Sequence, residues 1–253
     1  MQNFSRRRAV SPDEPDIELS EQAGVRALHM GGGFLVQSAM RLSAPNDLEL
    51  VYTRCMMGFM LFHPDPGQIL MLGLGGGSLA KFAYHRLPQS KITAVEISPR
   101  VVAVARSHFF LPEDDDRLQV VVAEGGDYVA RHPASADVLM VDGFDGGSQM
   151  PALCSQAFYD HAREALGKRG VMVVNLLSRD RRLQEYLERM ERSFGGRVST
   201  MMAEVHGNLV AFAFKRDPGR RAWERLGERA ARLEAEFSLP FPEYARRLRR
   251  KGP

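Results

Sequence analysis

Two aspartates three positions apart, Asp142 and Asp145, are the residues of this sequence best suited to chemistry. They follow directly on the apolar run 137–141. A pair of carboxylates can hold the ammonium groups of a cationic substrate, and one of them can accept a proton from an attacking amine. A protonated amine, with a pKa of about 10 in model compounds, becomes a nucleophile only after it loses that proton. A turn rich in Asp and Gly is the alternative interpretation of the same residues.

A glycine cluster lies between an apolar run and a helical pattern. It contains Gly73, Gly75, Gly76 and Gly77. Glycines allow positive φ angles and let a ligand approach the backbone closely. The following helix adds unpaired N–H groups and partial positive charge at its N-terminus. The cluster therefore predicts a nucleotide-binding loop, with an ordinary tight turn as the alternative.

An acidic residue, Glu96, follows the glycine loop after about twenty positions and ends the second apolar run, just before Ile97. A carboxylate at this place can accept both hydroxyls of an unphosphorylated ribose, and it would repel a 2′-phosphate. A capping or solvent-facing glutamate is the alternative. Nothing in the sequence matches the GxxxxGK[ST] loop, which excludes a P-loop nucleoside triphosphatase.

The elements that must position these residues alternate between strand and helix. Strands are predicted at 69–72, 92–95, 118–123, 137–141, 171–177, 198–205 and 208–214, and helices at 79–87, 100–108, 158–166, 181–194 and 220–237. Strands that are apolar on both faces indicate a mostly parallel, doubly wound sheet. The last two strands, joined at His206-Gly207, predict a terminal hairpin. The sequence therefore predicts an α/β fold with a seven-stranded sheet ending in an antiparallel hairpin. Such a hairpin is typical of class I methyltransferases, whereas the sheet of dinucleotide dehydrogenases ends in a parallel strand.

The N-terminal quarter has a different pattern. Short β-compatible runs between 16 and 42 predict a small antiparallel meander, and 48–62 reads as a buried helix. We expect a disordered N-terminus at 1–14, a small β region plus helix at 15–62, the nucleotide-binding catalytic domain at 63–240, and a basic tail at 241–253.

Composition bounds the class of protein. The chain has 253 residues, of which 44% are apolar and 26% charged, and its net charge is +3. These values are typical of a globular protein, and no apolar run is long enough to predict a membrane span. The basic tail lacks aromatic residues for base stacking, so nucleic-acid binding is not expected. Cys55 and Cys154 match no metal or redox spacing. We expect plain thiols, no metal and a cytoplasmic location.

The run 69–177 resembles the catalytic domain of the spermidine synthase (polyamine aminopropyltransferase) family. Positions 73–77 fall on the glycine loop of that family, and Val95-Glu96-Ile97 fall on its ribose-binding motif. Positions 142–145 match its D-x-x-D, and 155–159 match a helix start of the F-x-x-x-F-Y type. The similarity covers roughly residues 30 to 240 and is specific as a combination of motifs.

This resemblance implies roles for particular residues. Asp142 would be the general base and Asp145 a ligand of a substrate amine, while Tyr52 and Gln37 would line the substrate channel. The nucleoside-binding set would be the glycine loop with Glu96, Ile97, Gly125 and Asp127. The co-substrate would be decarboxylated S-adenosylmethionine or S-adenosylmethionine itself, the acceptor a small amine, and the assembly a homodimer.

Three departures from the family pattern bear on the donor and the acceptor. Ser78 stands where the glycine loop of the family continues with Asp, which holds the aminopropyl amine of the decarboxylated donor. Arg54 stands where the family has a channel Glu, and a guanidinium would oppose a dicationic polyamine. Gly125 stands at the position of an adenine-contacting Asp, which Glu124 or Asp127 could replace.

Three hypotheses are therefore open. The first is aminopropyl transfer from decarboxylated S-adenosylmethionine to an amine such as putrescine, and it depends on the Asp142/Asp145 pair. The second is methyl transfer from S-adenosylmethionine. The absence of the loop Asp at Ser78 favours it, and so does Arg54, because an arginine pairs with a carboxylate. The third is a nucleoside-binding protein of the same fold that has lost catalysis.

Overall fold

The computed structural model describes residues 17–31, 36–145, 148–204 and 207–250, apart from the side chains of Asp145, Ser148, Arg249 and Arg250. The strands are β1 (Ile17–Gln22), β2 (Val25–Met30), β3 (Val36–Arg41), β4 (Gln68–Leu72), β5 (Lys91–Glu96), β6 (Leu118–Val122), β7 (Ala136–Val141), β8 (Phe144–Asp145), β9 (Ser148–Gln149), β10 (Leu166–Leu177), β11 (Val198–Met202), β12 (Asn208–Phe214) and β13 (Arg249–Arg250). The helices are α1 (Val51–Met56), α2 (Ser78–Arg86), α3 (Pro99–Phe109), α4 (Gly125–Arg131), α5 (Gln156–Ala165), α6 (Leu183–Phe194), α7 (Arg220–Glu224), α8 (Leu226–Phe237) and α9 (Phe241–Arg247). Short 3₁₀ helices span Met57–Leu61 and Pro151–Cys154.

The main sheet has the strand order β13-β11-β12-β10-β7-β4-β5-β6. From β10 to β6 the neighbours are parallel, whereas β12 and β11 run antiparallel at the other end. The predicted doubly wound, seven-stranded sheet with a terminal hairpin is confirmed, and the two-residue β13 adds an eighth strand at its edge. The predicted N-terminal meander is the separate antiparallel sheet β1-β2-β3.

The central strands are apolar throughout because both faces of the sheet are covered. In β4, Ile69 and Met71 pack in one core with α1, α2, α8 and α9. Leu70 and Leu72 alternate with them and pack in the other core with α4, α5 and α6. Side chains of successive strand residues point to opposite faces, so one apolar run serves two cores.

The predicted helix at 48–62 is shorter than expected. The α-helical part is α1, and the chain then tightens into the 3₁₀ helix Met57–Leu61. Gly58 lies against Phe212 there, where an added Cβ would approach the ring to 3.0 Å. The segment is buried within the chain, as the sequence predicted.

The C-terminal region has more helix than the sequence predicted. The single helix expected at 220–237 is divided at Arg225, and Trp223 on α7 packs edge-on against Phe62 at 4.8 Å between ring centroids. The segment expected as a basic tail contains α9, because Phe241 and Tyr244 lie one helical turn apart and are both buried.

Other differences concern short elements. Helix α4 was not predicted, because its two N-terminal glycines favour a turn in sequence. The hairpin β8–β9 was also not predicted. The predicted disordered segment 1–14 and the turn residue His206 lie outside the described residues. Within the described ranges, no helix combines the length and the apolar character that a bilayer crossing requires.

Candidate functional site

The candidate site is a cleft at the carboxyl ends of β4 and β7. These strands are neighbours in the sheet, but the helices that follow them cover opposite faces. Such a switch point leaves a crevice, and open α/β sheets bind their ligands there. The cleft has a volume of about 280 Å³. The residues predicted from sequence that line it are Gln37, Tyr52, Gly73, Gly75, Glu96, Ile97, Gly125 and Asp142.

Backbone groups hold the carboxylate of Glu96 on one side of the cleft. Its Oε2 accepts a hydrogen bond from the N–H of Leu74, and its Oε1 accepts one from the N–H of Ser98, both at 2.9 Å. The residue is 8% exposed. Each carboxylate oxygen keeps a further lone pair for a ligand hydroxyl, so the geometry suits a ribose.

The glycines of the loop have two different functions. Gly73 has φ of +87°, and an added Cβ would lie 2.3 Å from the carbonyl oxygen of Asp142. A side chain at this position would therefore push the two strand ends apart. Gly76 and Gly77, in contrast, do not line the cleft, because they pack against Ser38 and Leu111, where an added Cβ would come within 2.7 Å and 2.8 Å of a side-chain atom.

Side chains hold the carboxylate of Asp142 on the opposite side of the cleft. The hydroxyl of Tyr52 donates to Oδ2 at 3.1 Å, and Nδ2 of Asn175 donates to Oδ1 at 2.9 Å. Burial raises the pKa of Asp142 above its ordinary value, and the two hydrogen bonds lower it in part. Burial and the adjacent Asp142 raise the pKa of Tyr52 well above its ordinary value, so the phenol stays a neutral donor. A carboxylate with a raised pKa is a better proton acceptor than an ordinary aspartate.

The remaining predicted residues are less simply placed. Asp145 is in β8, but its side chain lies outside the described part of the structure. Asp127 is not part of the described lining of the cleft: it stands in the first turn of α4, where its exposed carboxylate pairs with Arg131 at 3.1 Å. Glu124 takes its place in the lining. Glu124 Oε2 caps α4 by accepting from the N–H of Asp127, whereas its Oε1 is buried without a hydrogen-bond partner among the described residues.

The structure shows where two of the departures from the family pattern lie and what their side chains contact. Arg54 turns away from the cleft, because its guanidinium donates to the backbone carbonyls of Leu48 and Glu49 at 2.6 and 2.7 Å. The argument that it would repel a polyamine is therefore not supported. Ser78 begins α2 and lines the cleft, with its hydroxyl 3.4 Å from the hydroxyl of Ser38 on β3.

Asn175 is a polar residue beside the cleft that sequence reasoning missed. It is 1% exposed and lies on β10, beside β7, where its amide reaches Asp142. Its oxygen accepts from Nδ2 of Asn208 at 2.9 Å, and its backbone carbonyl accepts from Nε2 of Gln149 at 2.8 Å. The available signal was an amide within the apolar run VMVVNLL, since a buried polar residue needs a partner.

The sheet order and the position of the cleft are those of the class I methyltransferase fold. The Spermine/spermidine synthase domain model matches residues 49–205. A polyamine aminopropyltransferase of Chromobacterium violaceum is 44% identical over 250 residues, covering 98% of this chain and 95% of the relative. The chain belongs to the spermine/spermidine synthase family, which confirms the family and the transferase class predicted from sequence.

Solved structures agree on the fold. A probable spermidine synthase from Corynebacterium glutamicum superposes with a TM-score of 0.72 at 21% identity, covering 86% of this chain and 84% of the other. Human methyltransferase-like protein 13, in complex with SAH, superposes with a TM-score of 0.65 at 26% identity, covering 75% and 93%. The predicted methyltransferase-like architecture is confirmed.

Proposed function

We propose that this chain transfers an aminopropyl group from decarboxylated S-adenosylmethionine to an amine of a polyamine such as putrescine. The observation that carries the proposal is the charge of the cleft. Among the described residues, the carboxylates of Glu96, Glu124 and Asp142 line it, and no lysine, arginine or histidine does. Such a lining attracts a sulfonium and ammonium groups. It offers no cationic partner to the carboxylate that distinguishes intact S-adenosylmethionine from the decarboxylated donor.

The geometry also suits the nucleoside part of the donor. Glu96 can accept hydrogen bonds from the ribose hydroxyls, as its spacing from the glycine loop predicted. Glu124 lines the cleft, where its carboxylate offers a hydrogen-bond acceptor to an amino group of a base. Ile97, which is 53% exposed, lines the cleft and provides an apolar surface suited to a planar ring.

The proposed chemistry needs one proton acceptor. Asp142 takes a proton from the ammonium of the acceptor. The free amine nitrogen then attacks the carbon of the aminopropyl group that is bonded to the sulfonium sulfur. A C–N bond forms, the C–S bond breaks with its electron pair going to sulfur, and the nucleoside leaves as methylthioadenosine. Tyr52 orients Asp142 through its hydrogen bond to Oδ2. Because a sulfonium is already an activated leaving group, positioning supplies most of the remaining acceleration.

The proposal extends to Asp145, to the assembly and to the location. Asp145 would bind an amine of the substrate, as the family motif implies. A homodimer is proposed from family membership. A cytoplasmic location is supported by Cys55 and Cys154, which are both free and buried in the structure.

The experiment compares the two donors. Purified protein is mixed with putrescine and either donor, products are separated by chromatography, and the affinity for each donor is measured by calorimetry without acceptor. We expect methylthioadenosine from the decarboxylated donor, which also binds more tightly. S-adenosylhomocysteine as the product of intact S-adenosylmethionine would establish the methyltransferase alternative instead. Binding without any product would indicate a protein that only binds nucleosides.

A further inference from the structure

The side-chain amides of Asn208 and Asn175 form a hydrogen-bonded chain that ends on Asp142. Nδ2 of Asn208 donates to Oδ1 of Asn175, and Nδ2 of Asn175 donates to Oδ1 of Asp142, each at 2.9 Å. Neither asparagine belongs to the described lining of the cleft. Both therefore act on a ligand only through Asp142.

The hydrogen bonds that join Asn208, Asn175 and Asp142 can have only one donor-to-acceptor direction. An ionised carboxylate has acceptors and no donor, so Asn175 must turn its NH₂ group toward Asp142. Its oxygen then faces the opposite way, where the NH₂ group of Asn208 satisfies it. The charge at one end thus fixes the orientation of the amide between them.

The two oxygens of Asp142 are consequently not equivalent. Oδ1 accepts a hydrogen bond from the amide of Asn175, which does not belong to the described lining of the cleft. Oδ2 accepts one from the hydroxyl of Tyr52, which lines the cleft. We infer that Asn175 and Asn208 are positioning residues for the general base: they hold Oδ1 of Asp142 so that Oδ2 receives the proton of the amine. As a statement about catalysis this rests on the proposed function.

The surroundings of Asp142 make its titration a clean reporter. Among the described residues, the titratable group in contact with it is Tyr52 on α1, while Glu96 and Glu124 share the cleft. On β10, the neutral Asn175 faces it. The hydrogen bond from Asn175 lowers the pKa of Asp142 against the larger effect of burial. Removing that bond raises the pKa, so the base form is lost at a higher pH.

The first experiment uses Asn175→Leu, a substitution of similar shape that removes the donor. The titration of Asp142 is followed by its carboxyl ¹³C chemical shift in protein labelled at aspartate, without substrate, and the signal is assigned with Asp142→Asn. We expect the midpoint to move to higher pH. In steady-state assays, kcat/KM on the acid side of the pH profile should fall about tenfold more than on the alkaline side. Donor affinity should stay at the wild-type value.

Two further variants separate positioning from general stability. Asn208→Leu removes the hydrogen bond to Oδ1 of Asn175, so the amide that holds Asp142 is itself held less firmly, and the midpoint should move in the same direction by less. Gln149→Leu is the matched control, because it removes another buried hydrogen bond to Asn175, at the backbone carbonyl, without contacting Asp142. It should leave the midpoint in place even if the protein becomes less stable.

The outcomes distinguish this inference from the proposed function. The inference is overturned if Asn175→Leu leaves both the titration midpoint of Asp142 and the acid side of the kcat/KM profile unchanged. It is also overturned if Gln149→Leu moves them by the same amount. If the midpoint moves as expected while the wild-type protein makes no methylthioadenosine, the amide chain is supported and the proposed function fails.

Discussion

Glu96 and Asp142 stand on opposite sides of one cleft and each accepts two hydrogen bonds, but the donors differ in kind. The donors to Glu96 are backbone N–H groups 22 and 2 positions away in the chain. The donors to Asp142 are side chains 90 and 33 positions away. The glycine-loop side thus depends on backbone conformation, whereas the Asp142 side depends on the identity of side chains from two other elements.

The difference has a thermodynamic consequence. Backbone donors at a strand end stay in place when neighbouring side chains change, so the hydrogen bonds to the carboxylate of Glu96 tolerate sequence variation. Side-chain donors can be lost one at a time, and each loss leaves a partly buried carboxylate with fewer partners. Substitutions on the two sides should therefore affect different measurements.

Asp142→Asn should have the largest effect. It removes the proton acceptor while keeping size and shape, so turnover should fall by about 10³-fold, within the range for a general base. Methylthioadenosine release measures turnover, and calorimetry should show unchanged affinity for the donor. Turnover within tenfold of the wild type would contradict the assignment of Asp142 as the base.

Gly73→Ala tests the contact between the two sides. The alanine would have to adopt a positive φ, and its Cβ would lie 2.3 Å from the carbonyl oxygen of Asp142. The free energy of unfolding should therefore fall by about 3 kcal/mol. Gly125→Ala is the matched control, since its Cβ would lie 3.4 Å from Leu72, an ordinary contact. Urea titration measures both. Equal losses in the two variants would refute the special role of Gly73.

Glu96→Ala should act on donor binding. It removes a carboxylate that can accept the ribose hydroxyls, and hydrogen bonds to charged groups are worth about 1.5–3 kcal/mol, so the Kd for the donor should rise by about 10- to 100-fold. Turnover at saturating donor should fall much less than in Asp142→Asn. If donor affinity stayed at the wild-type value, Glu96 would not hold the ribose.

Arg54→Gln should have the smallest effect on kinetics. The guanidinium binds the carbonyls of Leu48 and Glu49 and does not line the cleft, so the KM for putrescine should change by less than about twofold. Thermal stability should decrease modestly, because two carbonyls lose a donor. A large decrease in KM would show that Arg54 does oppose the polyamine, as the sequence alone suggested.

The same contrast decides what could be predicted from sequence. The strands of the main sheet follow from apolar runs, and Glu96 follows from its spacing to the glycine loop, because both signals are local. The contacts of Asp142 with Tyr52 and Asn175 join residues from distant segments, and no periodicity indicates them. The sequence could not decide between Glu124 and Asp127, because the turn of α4, which determines which carboxylate faces the cleft, is not visible in it.

The negative lining of the cleft bears on how the reaction ends. Under the proposed function the sulfonium gives up its positive charge as the C–S bond breaks, so the nucleoside product is neutral. The attraction exerted by Glu96 and Glu124 then acts on the departing nucleoside only through hydrogen bonds, while the lengthened polyamine carries all the remaining charge. Release of the two products should accordingly respond differently to ionic strength, with salt accelerating the departure of the polyamine and leaving that of the nucleoside nearly unchanged.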